Sequence, residues 1–179
     1  MSEFEHARKK YRPETAQYTL VAEAPPSHGT GRFFYFENVP TGDSLFLEIM
    51  KALYPDARGN VEQVRATKVS FLKRFRDDGF YLIDACHDPT PSQSRAVKLK
   101  CLRAGLEQLQ RDLSEIGHPA MKVVLISATV YKVCCAPLRR AGWNVINTEM
   151  IDFPGWGRQK KFQKKFRSVL ERDGWQFAG

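Results

Sequence analysis

Four short, nearly continuous apolar runs alternate with longer stretches whose apolar positions recur every three or four residues. Residues 18–24 (YTLVAEA), 80–86 (FYLIDAC), 122–127 (KVVLIS) and 143–148 (WNVINT) read as strands. Runs apolar at successive positions suit strands covered on both faces. Between them lie helical patterns. Asp43 or Ser44 can cap a helix beginning DSLFLEIMKALY, where Leu45, Ile49 and Leu53 share a face and Pro55 follows. Residues 61–76 repeat the pattern through Val64, Phe71 and Phe75, and residues 92–116 form a long amphipathic helix that Gly117, His118 and Pro119 stop. Residues 128–141 and 158–172 complete the set. Strands alternating with helices predict the α/β class: a three-layer αβα sandwich around a mostly parallel four-stranded sheet, with right-handed crossovers. Residues 1–16 are polar and basic, an arm or short helix, and residues 17–179 form a single domain.

In such sheets ligands bind beyond the carboxyl ends of the strands. The loop after the first strand holds Glu23, Pro25, Pro26, His28, Arg32, Phe33, Phe34 and Tyr35. A rigid backbone followed by aromatics suits a flat ligand, because a planar ring stacks on Phe or Tyr. At least two of these aromatics are expected in the core. The loop after the second strand, HDPTPS, brings Asp84, His87 and Asp88 together. Asp84 and His87 have the chemistry of an acid/base pair or of two metal ligands, and the bland alternative is an Asp84 that orients the loop through backbone amides. No dense His/Cys/Asp cluster accompanies them, so neither a metal nor a cofactor is expected. The loop after the fourth strand, MIDFPGWGRQKKF, joins Pro154, Trp156 and Arg158 to a helix bearing Lys160, Lys161, Lys164 and Lys165. Helix N-terminal amides and lysines together make a phosphate-binding edge. The alternative is a solvated charged face around Phe162, Phe166 and Leu170.

The chain has 179 residues, enough to bury a core without staples, and carries a formal net charge of +8. That excess favours a polyanionic partner through phosphate neutralisation. No apolar run approaches membrane-spanning length, and MSEFEHARKKYRPE has charges where a signal peptide needs an apolar centre. A cytoplasmic protein with no membrane partner, a monomer, is the expectation. The four cysteines, Cys86, Cys101, Cys134 and Cys135, read as small buried apolar residues.

Residues 22–26 (AEAPP), followed by a small-residue loop ending in Phe-Phe-Tyr, resemble the water-activating motif of the uracil-DNA glycosylase superfamily, in the branch that carries Gly-Glu-Ala-Pro-Gly. YLID resembles the strand that ends in that family's base-reading Asn, with Asp84 in its place. KVVLIS and its helix match in order, and IDFPGWGRQKKF falls where the family has its His-Pro-Ser intercalating loop, with Phe153 at the His position. The resemblance spans residues 18 to 170 and identifies the chain as a divergent relative. It implies DNA as partner and Glu23 as the catalytic, water-positioning residue. A base pocket of Pro25, Phe33, Phe34, Tyr35, Asp84 and His87 is implied with it. So is a DNA-binding rim of Arg32, Pro154, Trp156, Arg158, Lys160, Lys161 and Lys164. The branch's paired N-terminal cysteines are absent, so no iron–sulfur cluster is expected.

The departures have chemical consequences. A carboxylate only accepts hydrogen bonds, whereas an amide both donates and accepts. Asp84 therefore suits a base edge rich in donors, or does not read a base. Three functional readings follow. The first is a glycosylase that flips a damaged or deaminated base from DNA and excises it. The second is a non-catalytic nucleic-acid-binding relative. The third is a small enzyme acting on a free nucleotide or nucleoside.

Overall fold

Four parallel strands, filled with residues that water expels, run through the centre of the protein. A computed structural model describes residues 2–90, 94–117 and 120–177. The strands are β1 (Tyr18–Ala22), β2 (Phe80–Asp84), β3 (Lys122–Leu125) and β4 (Asn144–Val145), in the spatial order β2-β1-β3-β4. Every pairing is parallel, with Ala22 beside Asp84 and Tyr18 beside Lys122. All residues of β1 and β2 are buried, so helices cover both faces of the sheet.

The helices are α1 (Glu3–Lys10), α2 (Ser44–Leu53), α3 (Val61–Ala66), α4 (Lys68–Asp77), α5 (Arg95–Ala104), α6 (Leu106–Ile116), α7 (Ala128–Arg140) and α8 (Gln159–Arg172). α2 packs on α8, and α4 packs on β2. α5 packs on α7, which covers β3 and β4. The result is the α/β, helix–sheet–helix architecture that the alternation predicts.

Two expected helices are each broken in two. The pattern over 61–76 splits at Thr67, whose hydroxyl donates back to the Gln63 carbonyl (2.9 Å). Such back-bonding competes with the regular ladder. The pattern over 92–116 splits at Gly105, where a Cβ would lie 2.8 Å from the Ala85 carbonyl oxygen. Only glycine lets the chain pass so close to the end of β2. The expected helix start at Ser92, and the stop residues His118 and Pro119, lie outside the described residues. Of the cysteines, Cys134 and Cys135 are buried while Cys86 and Cys101 are half-buried, and all four are free thiols.

The edges of the sheet explain the shortest strand. β4 has only two residues, not the six its apolar pattern suggests. Beyond it the Asn147 side chain does the work of backbone: its Oδ1 accepts from Leu125 N (2.7 Å) and its Nδ2 donates to Leu125 O (3.0 Å). On the opposite edge, the Tyr35 hydroxyl accepts from Leu82 N (2.7 Å) and lies 3.1 Å from Leu82 O, to which it donates. Both edges thus satisfy groups that would otherwise be orphaned when buried.

The N-terminal segment is a helix tied to the domain. Ser2 caps α1 by accepting from Glu5 N (3.2 Å), and Phe4 is buried against Phe33 and Phe36. From its last turn, Arg8 reaches Asp84 at the end of β2 (2.6 Å), where the carboxylate is only 4% exposed.

Two outcomes test these ties. Tyr35→Phe strands the Leu82 amide and carbonyl, so it should lower unfolding stability by about 1–3 kcal/mol; an unchanged denaturation midpoint would show that the hydroxyl is dispensable. Arg8→Met leaves a buried carboxylate uncompensated and should cost about 3 kcal/mol at pH 7. Adding Asp84→Asn should recover most of that loss, whereas additive losses in the double-mutant cycle would argue against the pair.

Candidate functional site

A cavity of about 460 Å³ opens at the carboxyl ends of β1 and β2, on the side the topology predicts for a ligand. Glu23, Pro25, Arg32, Phe33, Phe34, Asp84 and Trp156 line it. Seven of the residues singled out in the sequence therefore meet in one place. The cavity forms because β1 ends at Ala22 and the irregular Pro25–Pro26 segment carries the chain onward, while the aromatic run packs into the core.

Glu23 is the first residue past β1. Its Oε1 accepts from the Ser127 hydroxyl (2.6 Å), and its Oε2 lies 3.3 Å from the Lys98 ammonium. Ser127 also accepts from Thr129 N (3.2 Å), which caps α7. The hydroxyl is thereby oriented: its oxygen faces the helix and its proton faces Glu23. Both carboxylate oxygens of Glu23 are held, and the side chain stays 21% exposed. A fixed, partly solvated carboxylate can accept a proton from a bound water.

Asp84 lies beside it on β2, buried and paired to Arg8. Burial pushes its carboxyl above the usual range, and the Arg8 guanidinium opposes the rise. Asp43, just before α2, also faces the cavity. Its Oδ1 takes both Arg65 Nε (3.0 Å) and Nη2 (2.6 Å), while its Oδ2 has no hydrogen-bond partner among the described residues. Beneath this wall sits Lys68, 1% exposed. Its ammonium is 4.4 Å from the Phe46 ring centroid and 3.4 Å from the Phe33 carbonyl. Burial lowers Lys68 to about 8, against the pull of Asp43 in the other direction.

The aromatics divide as their chemistry allows. Phe33 and Phe34 are buried but show an edge to the cavity, Phe34 meeting Phe46 edge-on at 5.8 Å. Tyr35, expected in the pocket, instead belongs to the core and braces β2. His87 also lies elsewhere. It faces a smaller cleft between α1 and α6, of about 110 Å³, where its Nε2 is 2.5 Å from Asp112 Oδ2. Gln108 donates to the other Asp112 oxygen (2.9 Å). Asp84 and His87 thus take separate partners and form no acid/base pair.

The mouth of the cavity carries Trp156, fully exposed, with φ of 55° in the left-handed region that disfavours side chains. Phe153 stands beside it, 42% exposed, while Pro154 is buried behind the loop. The basic rim is partly neutralised. Asp152 gathers Arg158 (3.6 Å), Lys161 (3.2 Å) and Lys165 (3.3 Å). Although partial burial works the other way, the lysines hold its carboxyl below the usual range. Lys160 and Lys164 are exposed on α8, and among the described residues neither has a carboxylate at ion-pair distance.

Lys98, Ser127, Asp43, Lys68 and Arg8 were not chosen as site residues from the sequence. Ser127 had a signal: it ends the third apolar run, just past β3, and precedes a helix, the place where a capping hydroxyl faces the ligand edge. Lys98 and Lys68 look like any lysine on an amphipathic helix. Among the described residues no group of His, Cys, Asp and Glu could hold a metal ion, and no helix is long and apolar enough to cross a membrane.

Comparison with known proteins adds no relative. No family model matches the chain, nor does any curated protein or solved structure.

Lys68 gives a test of this wall by pH. In the fold it sheds its proton near pH 8, and in the unfolded chain only near about 10.4. Between those values the unfolded chain binds more protons, so this residue makes stability rise with pH. Lys68→Met should therefore stabilise the protein by about 2 kcal/mol at pH 7, with the gain shrinking towards pH 10. A gain that is absent, or constant from pH 7 to 10, would mean that Lys68 is not buried as a cation.

Proposed function

We propose that this protein is a divergent DNA glycosylase that takes a damaged or deaminated base out of the duplex into the cavity beyond β1 and β2 and hydrolyses its N-glycosidic bond. The observation that carries the reading is the convergence on one cavity of an anchored Glu23, an aromatic wall and an exposed Trp156 at the mouth. A base cannot be attacked inside the stack, so it must be extruded. Trp156 has the size to fill the gap left behind, and its free indole face gives a neighbouring base something to stack on. A volume of about 460 Å³ lies in the range of small-molecule sites, roughly 300–1,000 Å³.

Glu23 then supplies the base. Ser127 fixes the carboxylate so that a lone pair can face a water beneath the sugar C1′. As the C1′–N bond lengthens, the water oxygen approaches C1′ and its proton passes to Glu23. Phe33 and Phe34 exclude water on one side and offer apolar edges to the ring. Arg32 at the cavity and the exposed Lys160 and Lys164 of α8 would then meet phosphates. Asp84, locked onto Arg8, favours a second reading, a nucleic-acid-binding relative without catalysis, because a paired carboxylate reads a base edge less freely.

One experiment separates the two. The protein is incubated with duplex oligonucleotides carrying uracil, hypoxanthine, xanthine or an oxidised base, and abasic sites are scored by alkaline cleavage. Excision of at least one base is expected. Glu23→Gln should slow it at least about 100-fold, the scale of general-base catalysis, with DNA affinity kept. DNA binding should weaken with salt, and replacing Lys160 and Lys164 by Gln should flatten the log–log slope by up to about 1.8. Salt-sensitive binding without any abasic product would leave only the binding protein, and turnover unchanged in Glu23→Gln would remove Glu23 from the chemistry.

A further inference from the structure

We infer that Lys98 is the acid of this site: its ammonium stabilises the base as it departs and protonates it, which selects bases that leave as anions, such as uracil, hypoxanthine and xanthine. The inference rests on the glycosylase reading above and adds the residue and the substrate class.

Breaking an N-glycosidic bond sends the bonding electron pair onto the base, so a cation or donor must meet charge that develops there. Among the described residues the cavity holds two cationic side chains, Arg32 and Lys98. Arg32 is exposed at the rim, its stem lying across Gly42, where a Cβ would come within 2.7 Å of Arg32 Cδ. Lys98 reaches inward from α5 to Glu23 and is 24% exposed. Among the described residues no imidazole lines the cavity, and His87 is engaged with Asp112 in the other cleft. The Lys98 contact to Glu23, at 3.3 Å, is looser than the Ser127 contact at 2.6 Å. Ser127 can therefore keep Glu23 in place while the lysine turns to the base.

The surroundings favour an anion. Each carboxylate at the cavity has a cation of its own: Arg8 for Asp84, Arg65 for Asp43 and Lys98 for Glu23. With those three carboxylates paired, Arg32 is left without a carboxylate at ion-pair distance among the described residues, so one cation at the cavity is unbalanced. An anion forming in the cavity is stabilised, and a ring-alkylated base, already cationic, is repelled.

The step balances as a hydrolysis. The C1′–N bond breaks with its electrons passing to the base. The water oxygen bonds to C1′, and the water proton passes to Glu23. Lys98 gives a proton to the base and regains one from Glu23, its neighbour in the resting site. The products are the free base and the abasic sugar.

The test compares leaving groups in single-turnover excision from duplexes that differ only in carrying uracil, 5-fluorouracil or N7-methylguanine. Fluorine stabilises the departing anion, so it should substitute for lost help from Lys98. Lys98→Met, which keeps the packing of the stem, should slow uracil excision at least about 100-fold and 5-fluorouracil excision at least about tenfold less than that. Lys98→Arg keeps the cation and should keep the wild-type ratio between the two bases even if both rates fall. N7-methylguanine should not be released. Equal losses on uracil and 5-fluorouracil in Lys98→Met, with DNA affinity retained, would reduce Lys98 to a prop for Glu23 and overturn the inference. Release of N7-methylguanine in preference to uracil would overturn the substrate class. If the wild-type protein releases none of these bases nor any base in the panel above, the glycosylase reading has failed, and it fails before any variant is made.

Discussion

The two hydrogen bonds between the Tyr35 phenol and the Leu82 backbone hold the functional end of this protein together. β2 is an edge strand, and its outward amide and carbonyl would be buried without partners beneath the aromatic loop. An unpaired buried polar group costs about as much as a hydrogen bond is worth, and a parallel sheet offers no hairpin to cover its edge. Tyr35 resolves this from within the loop itself. Once its ring is seated against Tyr81 and Tyr11, Phe33 and Phe34 are fixed on either side of it. The cavity wall therefore exists because the loop is needed to finish the sheet. The phenol is raised far from ionisation by burial, so the brace does not titrate in any ordinary range.

The same end of the sheet concentrates charge, and each pair joins elements distant in sequence. Arg8 brings α1 to β2, Arg65 brings α3 to the start of α2, and Lys98 brings α5 to the end of β1. Pairs of this kind are weak sources of stability, because desolvation offsets most of their attraction. The buried Lys68 is a net cost as a cation, because its contacts with the Phe46 ring and the Phe33 carbonyl do not make up for its burial. Costs of this kind, gathered round one cavity, single it out as the candidate functional site.

The sheet was legible in the sequence because strands buried on both faces read as unbroken apolar runs, and β1 and β2 begin where those runs begin. β4 was overread. WNVINT looks like a strand, yet the ladder ends at Val145 and the Asn147 amide imitates the next residue pair, a substitution no periodicity displays. The helix breaks depend on contacts: Gly105 looks like a tolerable interior glycine until the Ala85 carbonyl is seen beside it. Site residues divide in the same way. Glu23 and Asp84 stand at strand ends and Trp156 belongs to the Gly-rich loop, so topology alone points to them. Ser127 and Arg8 act across separations of 104 and 76 residues, and only the fold brings them in. Tyr35 and His87 carried the right chemistry in the right loops, but each found a better partner than a ligand, one in the backbone of β2 and one in Asp112.

Trp156 is the feature that the isolated chain explains least and that the proposed DNA partner would account for. A left-handed φ on a non-glycine residue costs on the order of 1 kcal/mol, and a fully exposed indole recovers none of it by burial. Gly157 follows in the same region of φ, so the two residues form a tight turn that pushes the ring outward. Such strain persists where the surroundings enforce it, and here they do: Ile151 is buried on one side of the turn and Phe162 on the other, with Asp152 clamped by three cations between them. The turn is held rigid at its base while its tip is left bare. A rigid base with a bare aromatic tip is poor design for a free surface and good design for a wedge, because a side chain that is already ordered loses little entropy when it enters a base stack. On the proposed reading, the cost of presenting the ring is met in advance, and the contacts at the tip would be spent on opening the duplex.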